Sequence, residues 1–386
     1  MSQAPLPPSS KSAPRVLHHL ASLEEELARL DDLQRDPLDR ELLFTGATGS
    51  LGYYLLARFL ERTTARIHCL VRARDDAEAM DRLHESAAEF ASAALSTHGD
   101  RVRALAGDVA RPQFGLRQDV YDALAGAVDC TIHAAANTSF VIPFTASHPA
   151  NVLGTRHVLD FSRHRRPKGL HYTSSCGVHL IDPQRPDERS VGLYNGYAKS
   201  KYVAERMVAR HAEHGLPTVI YRIGYLYIDY PVVDATDTLE TLLCLLLEMG
   251  EAPVFSAPID FTPVDGVLDD ILIDVMERDY RTTLRVMHHP EPLDWQSIIL
   301  PSLQRIEPGL TLLPLEAFLP RFVAFLRRYP RMKVQTMRLI FTAAFPHQAN
   351  RVFARVPSDL RQPPPAYNID SFTEVVRNMV THYKWV

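Results

Sequence analysis

Short apolar segments alternate with helical patterns between Glu41 and Arg222. Each apolar segment is a continuous run, which is typical of strands that are covered on both faces, and not the apolar–polar alternation of a half-exposed strand. The predicted strands are Leu42–Thr45, Arg66–Val71, Val102–Ala106, Cys130–Ala134, Leu170–Ser174 and Thr218–Tyr221. This pattern predicts an α/β fold with a Rossmann-type, doubly wound parallel sheet.

The alternation of strands and helices ends after Gly224. A helix-rich stretch follows at Thr236–Gly250, and no strand period is seen from His288 to Pro365. A last helix is expected near Ser371–Tyr383. We therefore predict three parts: a leader with an amphipathic helix (1–40), a nucleotide-binding Rossmann domain (41–285) with a helical excursion at about 225–260, and a smaller, mainly helical substrate-binding unit (286–386).

The first forty residues combine a polar leader with an amphipathic pattern. Residues 1–14 are rich in Ser and Pro and lack an apolar core, so they predict a disordered leader and not a signal peptide. Apolar residues then recur at helical spacing, at Val16, Leu20, Leu23, Leu27 and Leu30. Two interpretations stay open: this helix packs over the domain, or it docks a partner, since about two heptads are too few to indicate a coiled coil.

Composition narrows the class of protein. Hydrophobic residues make up 46% and charged residues 23% of the 386 residues, as in an ordinary globular protein. The net charge of −4 argues against general nucleic-acid binding, and no segment predicts a transmembrane span, so we expect a cytoplasmic protein. The four cysteines lie far apart and the paired histidines lack a third ligand, so we expect neither disulfides nor a metal site.

A glycine-rich segment, Thr45–Gly52, follows the first predicted strand and opens a helix. Its glycine spacing is that of a turn that holds a dinucleotide pyrophosphate, with backbone amides of the helix N-terminus facing the phosphates. The predicted cofactor contacts here are Gly46, Thr48, Gly49, Ser50, Leu51 and Gly52. The alternative is a glycine-rich turn that binds no ligand.

The end of the second strand predicts which dinucleotide binds. NAD enzymes usually carry an acidic residue there, whereas this chain has Arg72 and Arg74, which suit a 2′-phosphate. NADPH is therefore favoured, and the alternative is that both arginines are surface charges.

Later strands are followed by weaker cofactor candidates, which are Asp108, Val109, Ala135 and Asn137. Asp108 suits the adenine amino group, but also a helix cap. Asn137 suits the ribose and nicotinamide end, but is equally typical of a turn.

Tyr197 and Lys201 are spaced one helical turn apart. Reduction of a carbonyl needs a hydride on carbon and a proton on oxygen, and Tyr197 is the expected acid. The Lys201 ammonium is expected to stabilise the phenolate and to contact the cofactor together with Tyr197. Ser175 is expected to donate to the substrate oxygen, with Ser174 and Thr173 as alternatives that differ only by strand register. Either Tyr197 or Lys201 alone would more often be an ordinary surface side chain.

These motifs together resemble the thioester reductase domains that end nonribosomal peptide and polyketide synthases, within the extended short-chain dehydrogenase/reductases, and more distantly the reductase domains of carboxylic acid reductases. The resemblance covers roughly Glu41 to Asp270. It rests on Thr45–Gly52, Ile67–Ala73, Gly107–Val109, Asn151–Thr155, Gly196–Glu205 and Thr262–Asp265.

The resemblance implies NADPH-dependent reductive release of an acyl or peptidyl chain from the phosphopantetheine arm of a carrier protein, to an aldehyde or on to an alcohol. Three positions depart from the family pattern: Ser50 for a common Phe, Ser175 for a frequent Thr, and Ile223 for a Pro. Ser175 keeps the hydroxyl, and Ile223 keeps a backbone path beside the nicotinamide.

Three other functions stay open. A stand-alone fatty acyl-CoA reductase would share every motif, and a nucleotide-sugar epimerase or dehydratase would share the glycine turn, Tyr197 and Lys201. Arg72, Arg74 and the Thr262–Asp265 turn favour reduction over sugar chemistry. A non-catalytic NADP-binding regulator would more often lack Tyr197 or Lys201.

The segment between Glu316 and Asp359 contains no acidic residue. Its basic residues are Arg321, Arg327, Arg328, Arg331, Lys333, Arg338, Arg351 and Arg355. Such a face suits an acidic carrier protein or the phosphate of its arm. The alternatives are a solvated face or a membrane-surface patch, given the neighbouring Phe322, Phe325 and Leu326.

Overall fold

The computed structural model describes residues 40–139, 142–180, 195–228, 238–278, 280–328 and 356–382. The strands are β1 (Glu41–Thr45), β2 (Arg66–Val71), β3 (Val102–Ala106), β4 (Cys130–His133), β5 (Gly169–Ser175), β6 (Thr218–Ile223), β7 (Leu226–Tyr227), β8 (Glu251–Val254), β9 (Pro258–Ile259), β10 (Thr262–Pro263), β11 (Leu284–Met287), β12 (Leu293–Asp294) and β13 (Thr311–Pro314). Within these residues, seven strands form one sheet in the order β11-β6-β5-β4-β1-β2-β3, and every neighbouring pair is parallel.

The helices are α1 (Ser50–Arg62), α2 (Asp76–Glu89), α3 (Ala94–His98), α4 (Gln118–Ala127), α5 (Phe144–His148), α6 (Gly154–Arg163), α7 (Asn195–Glu213), α8 (Thr238–Met249), α9 (Val264–Glu277), α10 (Leu300–Ile306), α11 (Leu315–Leu326) and α12 (Ile369–His382). The predicted helices at Thr236–Gly250 and Ser371–Tyr383 correspond to α8 and α12.

Both faces of the sheet are covered. Along β1, Leu42 and Phe44 pack into one apolar cluster with residues of α1 and α9, whereas Leu43 packs into another with residues of α4, α6 and α7. All three side chains are fully buried. Because successive side chains of a strand point to opposite faces, a strand between two helical layers is apolar throughout. The predicted doubly wound α/β fold is confirmed.

The six predicted strands are all in this sheet, but β11 was not predicted. It pairs with β6 at the edge of the sheet, in the register Arg285↔Tyr221 and Val286↔Arg222. Its short segment contains Arg285, which is buried because it forms salt bridges to Asp270 and Asp274. The boundary expected at residues 285/286 therefore falls inside a strand of the main sheet.

A separate apolar cluster, here the distal cluster, is built from α8, α10, α11 and α12 with Trp295 at its centre. Helix α8 was expected to be an excursion of the Rossmann domain, yet its leucines pack in this cluster. Two short strands also occur after His288, where none was expected: β12 pairs with β9 and β13 with β8. Runs of two to four residues are too short to give a recognisable period.

Several sequence expectations lie outside the described residues: the leader, the amphipathic helix at Val16–Leu30, and the basic residues Arg331, Lys333, Arg338, Arg351 and Arg355. Across the described ranges, no helix has the length and apolar character needed to cross a membrane. The same ranges contain no group of three His, Cys, Asp or Glu side chains that could hold a metal ion. The four cysteines are free and buried.

Candidate active site

A cavity of about 860 Å³ opens at the carboxyl ends of the central strands. The strand order reverses between β1 and β4, which is the point where ligands bind in open α/β sheets. Every site residue expected from the sequence except Arg74 lines this cavity, namely Gly46, Thr48, Gly49, Ser50, Leu51, Gly52, Arg72, Asp108, Val109, Ala135, Asn137, Ser175, Tyr197, Lys201 and Ile223.

The glycine turn joins β1 to α1 at one end of the cavity. Gly46 has a φ of +86°, and a Cβ there would lie 2.5 Å from the Ala135 nitrogen. A Cβ at Gly52 would lie 2.0 Å from the Gly46 oxygen, so α1 packs directly on the turn. At Gly49 the nearest atom to a Cβ is the same oxygen at 3.6 Å, an ordinary contact. The fold thus requires glycine at 46 and 52, whereas Gly49 leaves room for a ligand to approach the backbone.

The two arginines expected to read the cofactor are placed differently. Arg72 follows β2 and lines the cavity. Arg74 lies outside it, with Nε donating to Glu78 Oε2 at 2.7 Å and its side chain 85% exposed. Arg82 on α2 lines the cavity instead and donates to the Arg72 carbonyl oxygen. Arg82 was not predicted, because it comes from the next helix and only the fold brings it beside Arg72.

Asp108 and Asn137 each take part in a turn as well as lining the cavity. Asp108 Oδ1 accepts from the Ala110 amide at 2.9 Å, which fixes the turn after β3. The backbone of Asn137 is held by the buried Asn151, which accepts from its amide at 2.6 Å and donates to its carbonyl oxygen at 3.0 Å.

Tyr197 begins the first turn of α7 and forms a side-chain hydrogen bond with Ser175 at the end of β5. Ser174, the alternative donor, is turned away: its hydroxyl donates to Glu205 Oε2 at 2.6 Å. The register of β5 therefore presents Ser175 to Tyr197. Burial raises the pKa of Tyr197 to about 12, and the bond to Ser175 acts in the opposite direction.

Lys201 lies one turn after Tyr197 and is only 3% exposed. Its Nζ donates to the Thr173 carbonyl oxygen at 2.7 Å and lies 4.9 Å from the centre of the Tyr172 ring. Burial lowers the pKa of Lys201 to about 7, while the Glu205 carboxylate acts to raise it. The ammonium is therefore held close to Tyr197 in a site where its proton is labile.

A buried chain of hydrogen bonds joins the glycine turn to the catalytic helix. It runs through Thr45, His133, Thr155, Asn151 and Ser200 to the Tyr197 carbonyl oxygen. Because Thr155 donates to the Asn151 carbonyl oxygen, His133 Nε2 must be the donor to Thr155, and His133 Nδ1 accepts from Thr45. Burial lowers the pKa of His133 to about 3, so the ring is neutral, as this pattern requires.

Beyond Tyr197 the cavity becomes mainly apolar. The residues lining this end are Tyr225, Leu226, Ile228, Leu239 and Ile259, together with the buried Asp260. Asp260 Oδ2 accepts from the Tyr225 amide at 2.6 Å, and Oδ1 accepts from Thr262 at 2.8 Å. A Cβ at Gly224 would lie 2.1 Å from Asp260 Oδ2, so glycine is required there.

The NAD-binding family described as male sterility protein matches residues 44–271, from the glycine turn through the catalytic helix to α9. The chain therefore belongs to the male sterility protein family. A nicotinamide dinucleotide is accordingly its cofactor, and the residues present fit one: the glycine turn leaves Gly49 open, and Tyr197 and Lys201 line the same cavity.

Among curated relatives of this male sterility family chain, a linear gramicidin synthase of Brevibacillus parabrevis is 31% identical over 269 residues, 67% of this chain and 5% of that protein. Glycine betaine reductase ATRR of Emericella nidulans is 30% identical over 302 residues, 74% of this chain and 24% of that protein. The chain thus spans a minor part of both relatives.

Solved structures agree. The terminal R domain from the myxalamid PKS–NRPS pathway superposes with a TM-score of 0.72 at 26% identity, covering 88% of this chain and 90% of that one. The reductase domain of a nonribosomal peptide synthetase from Mycobacterium tuberculosis gives a TM-score of 0.70 at 23% identity, covering 92% and 94%. The resemblance to thioester reductase domains inferred from the motifs is confirmed.

Proposed function

We propose that this chain uses NADPH to reduce a carrier-bound acyl or peptidyl thioester, which releases an aldehyde. The observation that carries this proposal is the placement of Tyr197, Ser175 and Lys201 on the wall of a cavity that also includes the glycine turn. Cofactor and catalytic acid therefore share one site. The relatives that contain this kind of domain are named as peptide synthetases and reductases.

The proposal of NADPH over NADH rests on charge at the end of β2. Arg72 and Arg82 line the cavity there, and the Arg82 guanidinium is held against the Arg72 backbone. Two guanidinium groups suit a 2′-phosphate, whereas NAD-specific sites place a carboxylate at this point to bind the ribose hydroxyls.

The mechanism proposed for the protein groups follows from their protonation. A bound nicotinamide supplies the hydride that adds to the thioester carbon. Tyr197 gives its phenolic proton to the oxygen that gains negative charge, and Ser175 donates a hydrogen bond to the same oxygen. The Lys201 ammonium stabilises the phenolate that is left.

Release of the product needs the same proton to move back. As the thiohemiacetal collapses, the Tyr197 phenolate accepts the hydroxyl proton, the carbon–sulfur bond breaks, and the pantetheine sulfur leaves as a thiol once it has gained a proton. The carbon is left as an aldehyde. A second reduction at the same site would give an alcohol.

The partner proposed is an acyl or peptidyl carrier protein with its phosphopantetheine arm. Arg327 and Arg328 follow the last turn of α11 and are exposed, in a segment without acidic residues. Carrier proteins that are acidic would be attracted to such a face. The mainly apolar end of the cavity suits the acyl chain that the arm delivers.

The test is NADPH oxidation at 340 nm with one medium-chain acyl group, presented as a coenzyme A ester and on a phosphopantetheinylated carrier, with products identified by mass spectrometry. Turnover on the carrier with release of aldehyde or alcohol is expected. A preference for the coenzyme A ester would instead identify a stand-alone acyl-CoA reductase. No turnover on either, despite NADPH binding, would contradict reduction and favour a sugar-nucleotide enzyme or a binding protein.

A further inference from the structure

Glu205 lies on the same face of α7 as the two catalytic side chains, one turn after Lys201 and two turns after Tyr197. It is 6% exposed. A carboxylate is rarely buried unless it is paired, and the proposed reaction gives this one no proton to move. Its partners therefore indicate what it does.

Glu205 joins the catalytic helix to the ends of two strands. Arg222 on β6 holds it with a fork, Nε to Oε1 at 3.0 Å and Nη2 to Oε1 at 2.5 Å. Ser174 on β5 donates to Oε2 at 2.6 Å. Ser174 and Arg222 are opposite each other in the register of these strands, and the next pair is Ser175 and Ile223, which line the cavity.

Glu205 also contributes to the electrostatics around Lys201. The groups facing Lys201 are His133 on β4, the Tyr172 ring and Thr173 carbonyl oxygen on β5, and Tyr197 and Glu205 on its own helix. His133 is neutral and the tyrosines stay protonated, because burial lowers the pKa of the first and raises those of the others. Among the described residues, Glu205 is thus the negative charge that faces the Lys201 ammonium.

We propose that Glu205 is a positioning residue for the reduction: paired with Arg222, it fixes α7 against the ends of β5 and β6 and supplies the negative charge that keeps Lys201 an ammonium ion. This inference rests on the proposed function, in which the ammonium stabilises the Tyr197 phenolate. Loss of the carboxylate leaves the helix register in place but makes Lys201 easier to deprotonate.

The direct test follows Lys201 itself in protein made with ¹³C-labelled lysine. The chain has six lysines, so the ¹³Cε signals are few, and the Lys201→Arg variant assigns the one of interest. The wild type is expected to titrate near pH 7. Glu205→Gln keeps the shape and removes the charge, and we expect its Lys201 midpoint to fall by about one pH unit. An unchanged midpoint in a folded Glu205→Gln protein would overturn the inference.

Arg222→Gln is the matched control, because it removes a partner of Glu205 but keeps the carboxylate. Its Lys201 midpoint should stay at or above the wild-type value, and a fall would overturn the inference. If Glu205→Gln alone does not fold, Arg222→Gln is compared with the double variant, which also leaves no unpaired buried charge. The midpoint should fall from the first to the second, and equal midpoints would overturn the inference.

Turnover gives an independent readout. The alkaline limb of the pH–kcat profile should move with the Lys201 midpoint in each variant, whereas a merely structural role would lower the rate equally at every pH. A wild-type protein that reduces no thioester would contradict the proposed function, but the lysine titration would still decide the role of Glu205.

Discussion

Tyr197 and Lys201 have opposite pKa shifts with one physical cause. Burial favours the neutral form of each group, so it raises the pKa of the phenol to about 12 and lowers that of the ammonium to about 7. Below pH 7 both groups carry their protons, which is the state that the proposed reduction needs. Above pH 7 the phenol keeps its proton while the lysine loses its charge.

The pH dependence of kcat/KM should therefore have an alkaline limb near pH 7, since this parameter reports the free enzyme. Above that limb the rate should fall about tenfold per pH unit, as the fraction of ammonium does. Lys201→Arg keeps a permanent cation and should flatten the limb while lowering the maximum rate. Measurement of kcat/KM from pH 5.5 to 9 checks this, and a limb unchanged in Lys201→Arg would assign it to another group.

Recognition of the 2′-phosphate is the second residue-scale prediction. Arg82→Ala should raise the Kd for NADPH about tenfold and leave that for NADH nearly unchanged, because the lost interaction is a charge-assisted hydrogen bond. Arg74→Ala is the control: Arg74 pairs with Glu78 outside the cavity, so both constants should stay at their wild-type values. Equal losses for NADPH and NADH in Arg82→Ala would exclude a role in phosphate recognition.

Sequence reasoning at this scale succeeded where chemistry depends on spacing along one element. Tyr197 and Lys201 are four residues apart on a helix, so their proximity follows from the period alone. It could not distinguish Ser174 from Ser175, since one step in strand register exchanges the two faces. It also missed Arg82, whose position beside Arg72 depends on how α2 packs.

At the scale of elements, the β1–turn–α1 unit separates a glycine that the fold needs from one that a ligand needs. Gly52→Ala should lower Tm by many degrees or prevent folding, because its Cβ would lie 2.0 Å from the Gly46 oxygen. Gly49→Ala should fold normally and bind NADPH at least about tenfold more weakly, because it narrows the approach to the backbone. Thermal unfolding with NADPH titration checks both.

The opposite result would be informative. If Gly49→Ala unfolds the protein while Gly52→Ala does not, the turn has another geometry. If Gly49→Ala binds NADPH as the wild type does, the pyrophosphate does not approach this glycine.

Predictability at the element scale followed burial. The central strands are covered on both faces and gave unbroken apolar runs, so six of them were predicted. Strand β11 was missed because it is short, lies at the sheet edge and carries Arg285, whose charge is balanced by Asp270 and Asp274 on α9. Such a pairing joins residues distant in sequence and leaves no local pattern.

On the scale of the whole molecule, the cavity lies where the Rossmann sheet meets the distal cluster. Its cofactor end is built by β1, β2 and β4, whereas Leu239 and Ile259 at the apolar end belong to the distal cluster. We propose that the sheet serves hydride transfer and that the helical unit serves the substrate and its carrier.

The exposed arginines after α11 give the prediction at this scale. Arg327→Glu with Arg328→Glu should raise KM for a carrier-bound thioester several-fold, more so at low salt, because a basic face speeds encounter with an acidic partner. KM for a small soluble thioester should not change. Arg117→Glu, an exposed arginine at the start of α4, is the control. Equal increases for both substrates would contradict carrier docking at this face.

The central claim is that hydride reaches the thioester carbon with Tyr197 as the acid. The most direct measurement uses NADPH deuterated at both C4 positions with a carrier-bound acyl thioester, and mass spectrometry of the released product. The account predicts one deuterium at C1 of the aldehyde, or two in an alcohol, from the wild type, and essentially no product from Tyr197→Phe despite normal NADPH binding. An unlabelled product, or full turnover by Tyr197→Phe, would contradict it.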